Sequence, residues 1–207
     1  MKEFNKGLFI VFEGIDGAGK TTQIELLAKK IEENGGKVHT TAEPSNFESG
    51  KALRRALSGA EPKSECEMAT MFVLDRIVHN GEINEHLAKG ETVISDRYYY
   101  SSLAYQGRAT DYTWVRNMNI GCPDIRTPDV CIYLDLTPEQ SLQRISKGRE
   151  SVEIYENLET LSGVRAAFHS VIDDLNREGE RIFKVDASRS LEEISNEIFE
   201  IIKRVVE

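Results

Sequence analysis

The segment GIDGAGKT at residues 14–21 places Gly14, Gly19, Lys20 and Thr21 at the fixed positions of G-x-x-x-x-G-K-[ST]. Each residue type answers a need of polyphosphate binding. Glycines let the backbone curl until successive N–H groups point at phosphate oxygens. Lys20 brings a positive charge to the β- and γ-phosphates, and the Thr21 hydroxyl can ligate Mg2+. A helix beginning near Lys20 aims the positive end of its dipole at the same anion. Ile15, Asp16, Gly17 and Ala18 fill the loop, and Thr22 follows it. The plainer reading is a glycine-rich strand-to-helix turn without a ligand. A buried strand before the motif and a helix after it favour the phosphate loop.

Four further groups of residues could serve an acceptor. Asp96 and Arg97 follow the apolar stretch 92–95. Asp96 could hold or orient Mg2+, and Arg97 could bind a phosphate bidentately; an ordinary ion pair or helix cap is the other reading. Phe72, Arg76 and His79 share a helix face by their spacing of four and three. A ring for stacking one turn from an arginine suits a nucleotide, and equally suits a core phenylalanine beside a surface arginine. Ser101, Tyr105 and Gln106 could read a base edge or form a polar loop, and Arg54 on a short helix could be a solvated charge. Arg144, Lys147 and Arg149 flank Gly148, either as an exposed basic turn or as cations closing over a transferring phosphoryl group.

These residues need a scaffold. Residues 7–13 read as a fully buried parallel strand. A helix over 20–34 follows, ended by Gly35-Gly36. Strands are expected at 37–42, 92–95, 130–134 and 181–185. Helices are expected at 50–57, 64–87, 111–120, from Pro138 onward, at 154–177 and at 191–206. Residues 44–49 read as a loop, and the polar stretch 146–151 as mobile. Strands alternating with helices predict an α/β fold: a five-stranded parallel sheet with helices on both faces, binding ligands beyond the carboxyl ends of its strands. One domain over 1–207 with a short lid near 144–153 is expected.

Composition narrows the function. Lys and Arg total 26 against 35 Asp and Glu, for a net charge of -9, which disfavours nucleic acid as a partner. No apolar run suits a signal peptide or a membrane span, so a cytoplasmic protein is expected. Three cysteines without C-x-x-C spacing and four histidines without a paired ligand pattern give no metal-site signal. No N-K-x-D guanine-reading sequence is present, which speaks against a GTPase switch.

Taken in order, FEGIDGAGKTTQ, the Glu43-Pro44 step, GKALRRAL, MFVLDRIVH, ISDRYYYSSLAYQG, PDVCIYLDL and RISKGRE resemble the thymidylate kinase family over nearly the whole chain. The most specific pieces are D-R-Y-x-x-S-x-x-A-Y-Q and F-x-x-x-R. The resemblance implies ATP and dTMP as substrates, Mg2+ as cofactor and a homodimer. It places Lys20 and the loop backbone on ATP, Thr21 and Asp96 at the metal, and Arg144 by the adenine. Arg76 and Arg97 would clamp the dTMP phosphate, with Asp16 and Glu43 beside the acceptor. Phe72 would stack on thymine and Arg54 would meet its edge. Ser101 and Gln106 would select the base, and Tyr105 would pack on the deoxyribose. Gly17 stands where one branch of the family has a catalytic arginine, so Arg149 in the lid would supply that charge. The chain departs from the T-R-E-P-G-G pattern at Thr41-Ala42-Glu43-Pro44-Ser45-Asn46. Alternatives are a kinase of another monophosphate such as dUMP or of a nucleoside, and, in a different class, a non-catalytic nucleotide-binding regulator.

Overall fold

The structure is a computed structural model that describes residues 7–148 and 157–206. Strand β1 (Phe9–Glu13) leads through the phosphate loop into helix α1 (Lys20–Glu33). Strand β2 (Val38–Ala42) is followed by α2 (Glu48–Leu57), α3 (Glu65–Ala88) and β3 (Thr92–Asp96). Helices α4 (Tyr99–Ala109) and α5 (Tyr112–Ile120) precede β4 (Val130–Asp135) and α6 (Pro138–Gly148). Helix α7 (Leu158–Arg177), β5 (Ile182–Asp186) and α8 (Leu191–Val206) complete the order.

All five strands pair in parallel, in the order β2-β3-β1-β4-β5. The β-strand side chains alternate between two cores, as the pleat requires. Phe9 and Val11 face a core shared with α3, α4, α5 and α7, while Ile10 and Phe12 face one shared with α1 and α8. The chain thus forms the three-layer α/β architecture of phosphate-loop proteins. Strand order reverses around β1, and the loops leaving β1 and β3 open at the crevice where such sheets bind ligands. No helix among the described residues is long and apolar enough to cross a membrane.

Two expectations change. Residues 99–109, which the sequence left as a candidate polar loop, form helix α4. Tyr98, Tyr99, Tyr100, Leu103 and Ala104 are all buried, so tertiary packing overrides the weak helix signal of an aromatic and serine-rich run. Helix α6 continues through Gly148, so residues 146–148 are helical rather than the start of a mobile stretch; the rest of the expected lid lies outside the described residues. On α3, Met68 and Ile83 belong to the core, whereas Leu74 and Val78 are 56% and 41% exposed.

Phe168 joins α7 to two neighbours. Its ring meets Tyr133 of β4 at 5.1 Å and the edge of Tyr105 of α4 at 6.2 Å. It is fully buried. Phe168→Ala is expected to cost about 3–5 kcal/mol of stability, read as a lower urea midpoint with an unchanged slope. A loss below about 1 kcal/mol would show that the site collapses without a cavity.

Candidate active site

The phosphate loop forms because its glycines take conformations that other residues resist. Gly14 has φ 144° and Gly17 φ 74°. A β-carbon on Gly14 would sit 2.7 Å from the Leu134 carbonyl oxygen, and one on Gly17 2.9 Å from that of Ser141. The loop is therefore clamped between β4 and α6. The Ser141 hydroxyl donates to the Asp16 carbonyl at 2.6 Å. Arg144, one turn along α6, donates to the Gly17 carbonyl at 3.4 Å and to the Ala187 carbonyl at 2.8 Å. The resemblance puts Arg144 by the adenine; in the structure its guanidinium spans the Gly17 carbonyl of the phosphate loop and the Ala187 carbonyl after β5.

Lys20 opens α1 and is buried; its ammonium donates to the Gly14 carbonyl at 3.2 Å and lies 3.9 Å from Asp96. Burial pulls its pKa down and the Arg97 charge adds to this, while Asp96, Asp16 and Glu13 oppose it. The Thr21 hydroxyl donates to Asp96 at 3.3 Å. One hard oxygen donor at the carboxyl end of β3 and one in the first turn of α1, beside a phosphate loop, fit Mg2+, which takes one or two protein oxygens plus phosphate and water.

Arg97 has φ 72°, the left-handed region in a residue with a full side chain. Such a backbone persists only where its surroundings over-determine it. Here they do. The Arg97 N–H donates to the Phe12 carbonyl at 2.9 Å. The next residue, Tyr98, donates its N–H to the Glu13 carboxylate at 2.9 Å. That carboxylate also accepts from the Ser101 N–H at 3.0 Å and the Ser101 hydroxyl at 2.7 Å. Glu13 therefore caps α4 from the end of β1, in place of a capping side chain within α4 itself. Burial raises the Glu13 pKa, against the opposing pull of Arg97, Ser101, Tyr98 and Lys20.

The Arg97 guanidinium donates to Asp16 at 2.6 Å and to the Ser101 hydroxyl at 3.0 Å, and its carbon lies 5.7 Å from the centre of the Tyr105 ring. Burial works against its charge, yet Asp16 and its other anionic neighbours carry its pKa well above the usual arginine value. Asp16, Lys20, Asp96, Arg97, Ser101 and Tyr105 thus gather in one place. Gln106 is buried on the adjoining turn of α4.

Arg76 lies in a separate, deeper network. Its Nε and one terminal nitrogen donate to Glu43, the former at 3.0 Å. The other terminal nitrogen donates to Ser102 at 3.2 Å and to Asn119. The Arg76 side chain is fully buried and its carbon sits 5.2 Å from the Tyr98 ring centre. Glu43 meets His79 Nδ1 at 3.2 Å with its second oxygen. Glu43 therefore faces Arg76 and His79, and holds the arginine that shares its helix face with half-buried Phe72. Breaking one partner of such a pair strands a buried charge. Glu43→Ala is expected to lower folding stability by about 3–5 kcal/mol; a change within about 1 kcal/mol, the range of exposed pairs, would contradict the burial of this pair.

Arg54 points back at its own loop. It donates to the Ser45 carbonyl at 2.7 Å and to the Pro44 carbonyl at 2.5 Å. Asp75 completes that loop from α3, accepting from the Ser45 N–H at 2.7 Å and the Ser49 hydroxyl at 2.7 Å. Thr22 is exposed on α1. Arg149 lies outside the described residues. Sequence reasoning missed Glu13, Ser102 and Asn119. A carboxylate closing an all-apolar strand was a usable signal for Glu13, whereas Asn119 sits on a weakly patterned helix and gave none.

The family described as thymidylate kinase matches residues 12–198. A probable thymidylate kinase of Methanococcus aeolicus is 40% identical over 194 residues, covering 92% of this chain and 93% of its own. One of Pyrococcus horikoshii is 38% identical over 206 residues, covering 96% and 97%. The thymidylate kinase of Leptospira borgpetersenii is 34% identical over 204 residues, covering 98% and 96%. The match spans both the phosphate loop and the Asp96-Arg97-Tyr98 turn, the two features that build the site, and the chain belongs to the thymidylate kinase family.

Proposed function

We propose that this chain is an ATP-dependent dTMP kinase acting as one catalytic domain, transferring the γ-phosphoryl of ATP to dTMP to give dTDP and ADP. The observation that carries this reading is the approach of Arg97, paired with Asp16 at 2.6 Å, to the buried Lys20 of the phosphate loop. In a molecule of net charge -9, these cations offset two phosphate-bearing ligands placed end to end.

Phosphoryl transfer asks mainly for alignment and neutralisation. Lys20 and the loop N–H groups hold the β- and γ-phosphates. Arg97 presents the acceptor phosphate, and Asp16 fixes the direction of its guanidinium. An oxygen of dTMP forms the new bond to the γ-phosphorus while the bond to the ADP oxygen breaks. Mg2+ bound with ATP would be held by Thr21 and Asp96 and would offset charge on the moving group. Phe72, Tyr105, Ser101 and Gln106 supply the ring and hydroxyl or amide groups for the nucleoside. Arg76, through Glu43, shapes the floor beside them, and Arg149 is the lid cation expected from sequence. The exposed Leu74 and Val78 of α3 support a homodimer, and a cytoplasmic place belongs to the same reading.

The deciding experiment is a coupled assay with MgATP fixed and dTMP, dUMP, other monophosphates and thymidine varied. Turnover greatest on dTMP supports the proposal. Greatest turnover on another acceptor, or tight nucleotide binding with none, would replace it. Light scattering on the same sample should give twice the chain mass.

A further inference from the structure

The four histidines carry no metal signal in sequence, because the residues that could share an ion come from different elements. The fold brings three together on the outer edge of the sheet, away from the phosphate loop. His39 stands on edge strand β2, and Glu82 and His86 stand one turn apart on α3. Their candidate ligand atoms all lie within 4.8 Å of one another. His39 Nε2 is 3.2 Å from a Glu82 oxygen, and the two imidazole rings stack at 3.6 Å, nearly parallel.

We propose that His39, Glu82 and His86 form a binding site for a divalent transition-metal ion of the zinc class. Two imidazoles and one carboxylate suit Zn2+, Ni2+ or Co2+ and do not suit Mg2+, which asks for oxygen donors. Ligands about 2.0–2.2 Å from a tetrahedral zinc lie roughly 3.4 Å apart, so the three groups need close by little. Parallel rings cannot both aim a lone pair at one ion, so loading tilts one imidazole off the stack. The His39 and His86 side chains are 24% and 23% exposed, so both rings reach solvent.

A second feature points the same way. His86 Nδ1 is 2.6 Å from Glu91, which fixes that nitrogen as the donor and leaves Nε2 as the lone-pair nitrogen. Metal-bound histidines are oriented by such a carboxylate partner. Behind Glu82 stands His79, whose Nε2 shares a 2.7 Å hydrogen bond with the Thr41 hydroxyl and lies 3.9 Å from the other Glu82 oxygen. Three ligands leave a fourth position for water.

The test uses the tag-free full chain in buffer with excess Mg2+, titrated with ZnCl2 by calorimetry. One Zn2+ per chain is expected. His39→Ala and His86→Ala should each weaken binding at least about 10-fold, and Glu91→Gln about 10-fold through the lost orienting partner. His169→Ala should change nothing. Thermal melts without metal show whether each variant is folded; because the variants lie on two separate elements, one folded variant suffices to decide. Co2+ should give absorption of nitrogen and oxygen ligation. Unchanged affinity in either folded histidine variant, no binding by the wild-type chain, or thiolate charge-transfer bands with Co2+ would overturn the site. None of these readings depends on which nucleotide the chain phosphorylates.

Discussion

Lys20→Met is expected to lower kcat about 10²–10³-fold, the scale seen for loss of a preorganised transition-state donor, without lowering the thermal midpoint. The two halves of this result share one cause. In the free chain the ammonium is buried, and burial together with Arg97 pulls its pKa down. The folded protein therefore holds a charge at a cost that Asp96, Asp16 and Glu13 offset in part and an arriving phosphate relieves further. Methionine keeps the length and the packing and removes that cost. Steady-state rates with MgATP and dTMP, together with a melt of each protein, give both numbers. Undiminished kcat would remove Lys20 from the phosphates. A sharply lower midpoint with normal chemistry would make it a structural residue.

Arg97→Ala is the second large effect, and it is directional. Asp16 holds the guanidinium where it would pair with the acceptor phosphate, and truncating one member of such a hydrogen-bonded charge pair across a binding interface costs about 2–5 kcal/mol. The expectation is a fall of about 10²–10³-fold in kcat/KM for dTMP, with KM for ATP changed by less than about threefold. Arg97→Lys should land between, since an ammonium keeps the charge and loses the planar fork. If the alanine variant lost ATP binding and kept dTMP binding, the assignment of Arg97 to the acceptor would be wrong.

The phosphate loop and the strand ends were legible because their signals are local. An apolar run, a glycine pattern and a helix start adjoin one another in the chain, and β1 and α1 fall where that reading puts them. The pairing of Thr21 with Asp96 at 3.3 Å follows once β1 and β3 are neighbours, which parallel α/β topology makes natural. Helix α4 was not legible. Its cap comes from Glu13, 85 residues before Tyr98, and a side chain that remote leaves no mark on the local pattern. Arg54 and Arg76 had the same limit. Helical spacing puts Phe72 and Arg76 on one face, but it does not say that Glu43, Ser102 and Asn119 enclose the guanidinium. The metal-like histidine cluster was hidden for the same reason, since β2 and α3 meet only in the folded chain.

Glu13 closes β1 one residue before Gly14 and holds the Tyr98 and Ser101 N–H groups at the start of α4. The phosphate loop and Arg97 are thus fastened to a single residue, like two jaws on one rivet. Their separation is a fixed length of the framework rather than something substrate binding adjusts. Whatever motion shields the reaction from water must then pivot elsewhere, on segments that Glu13 does not touch.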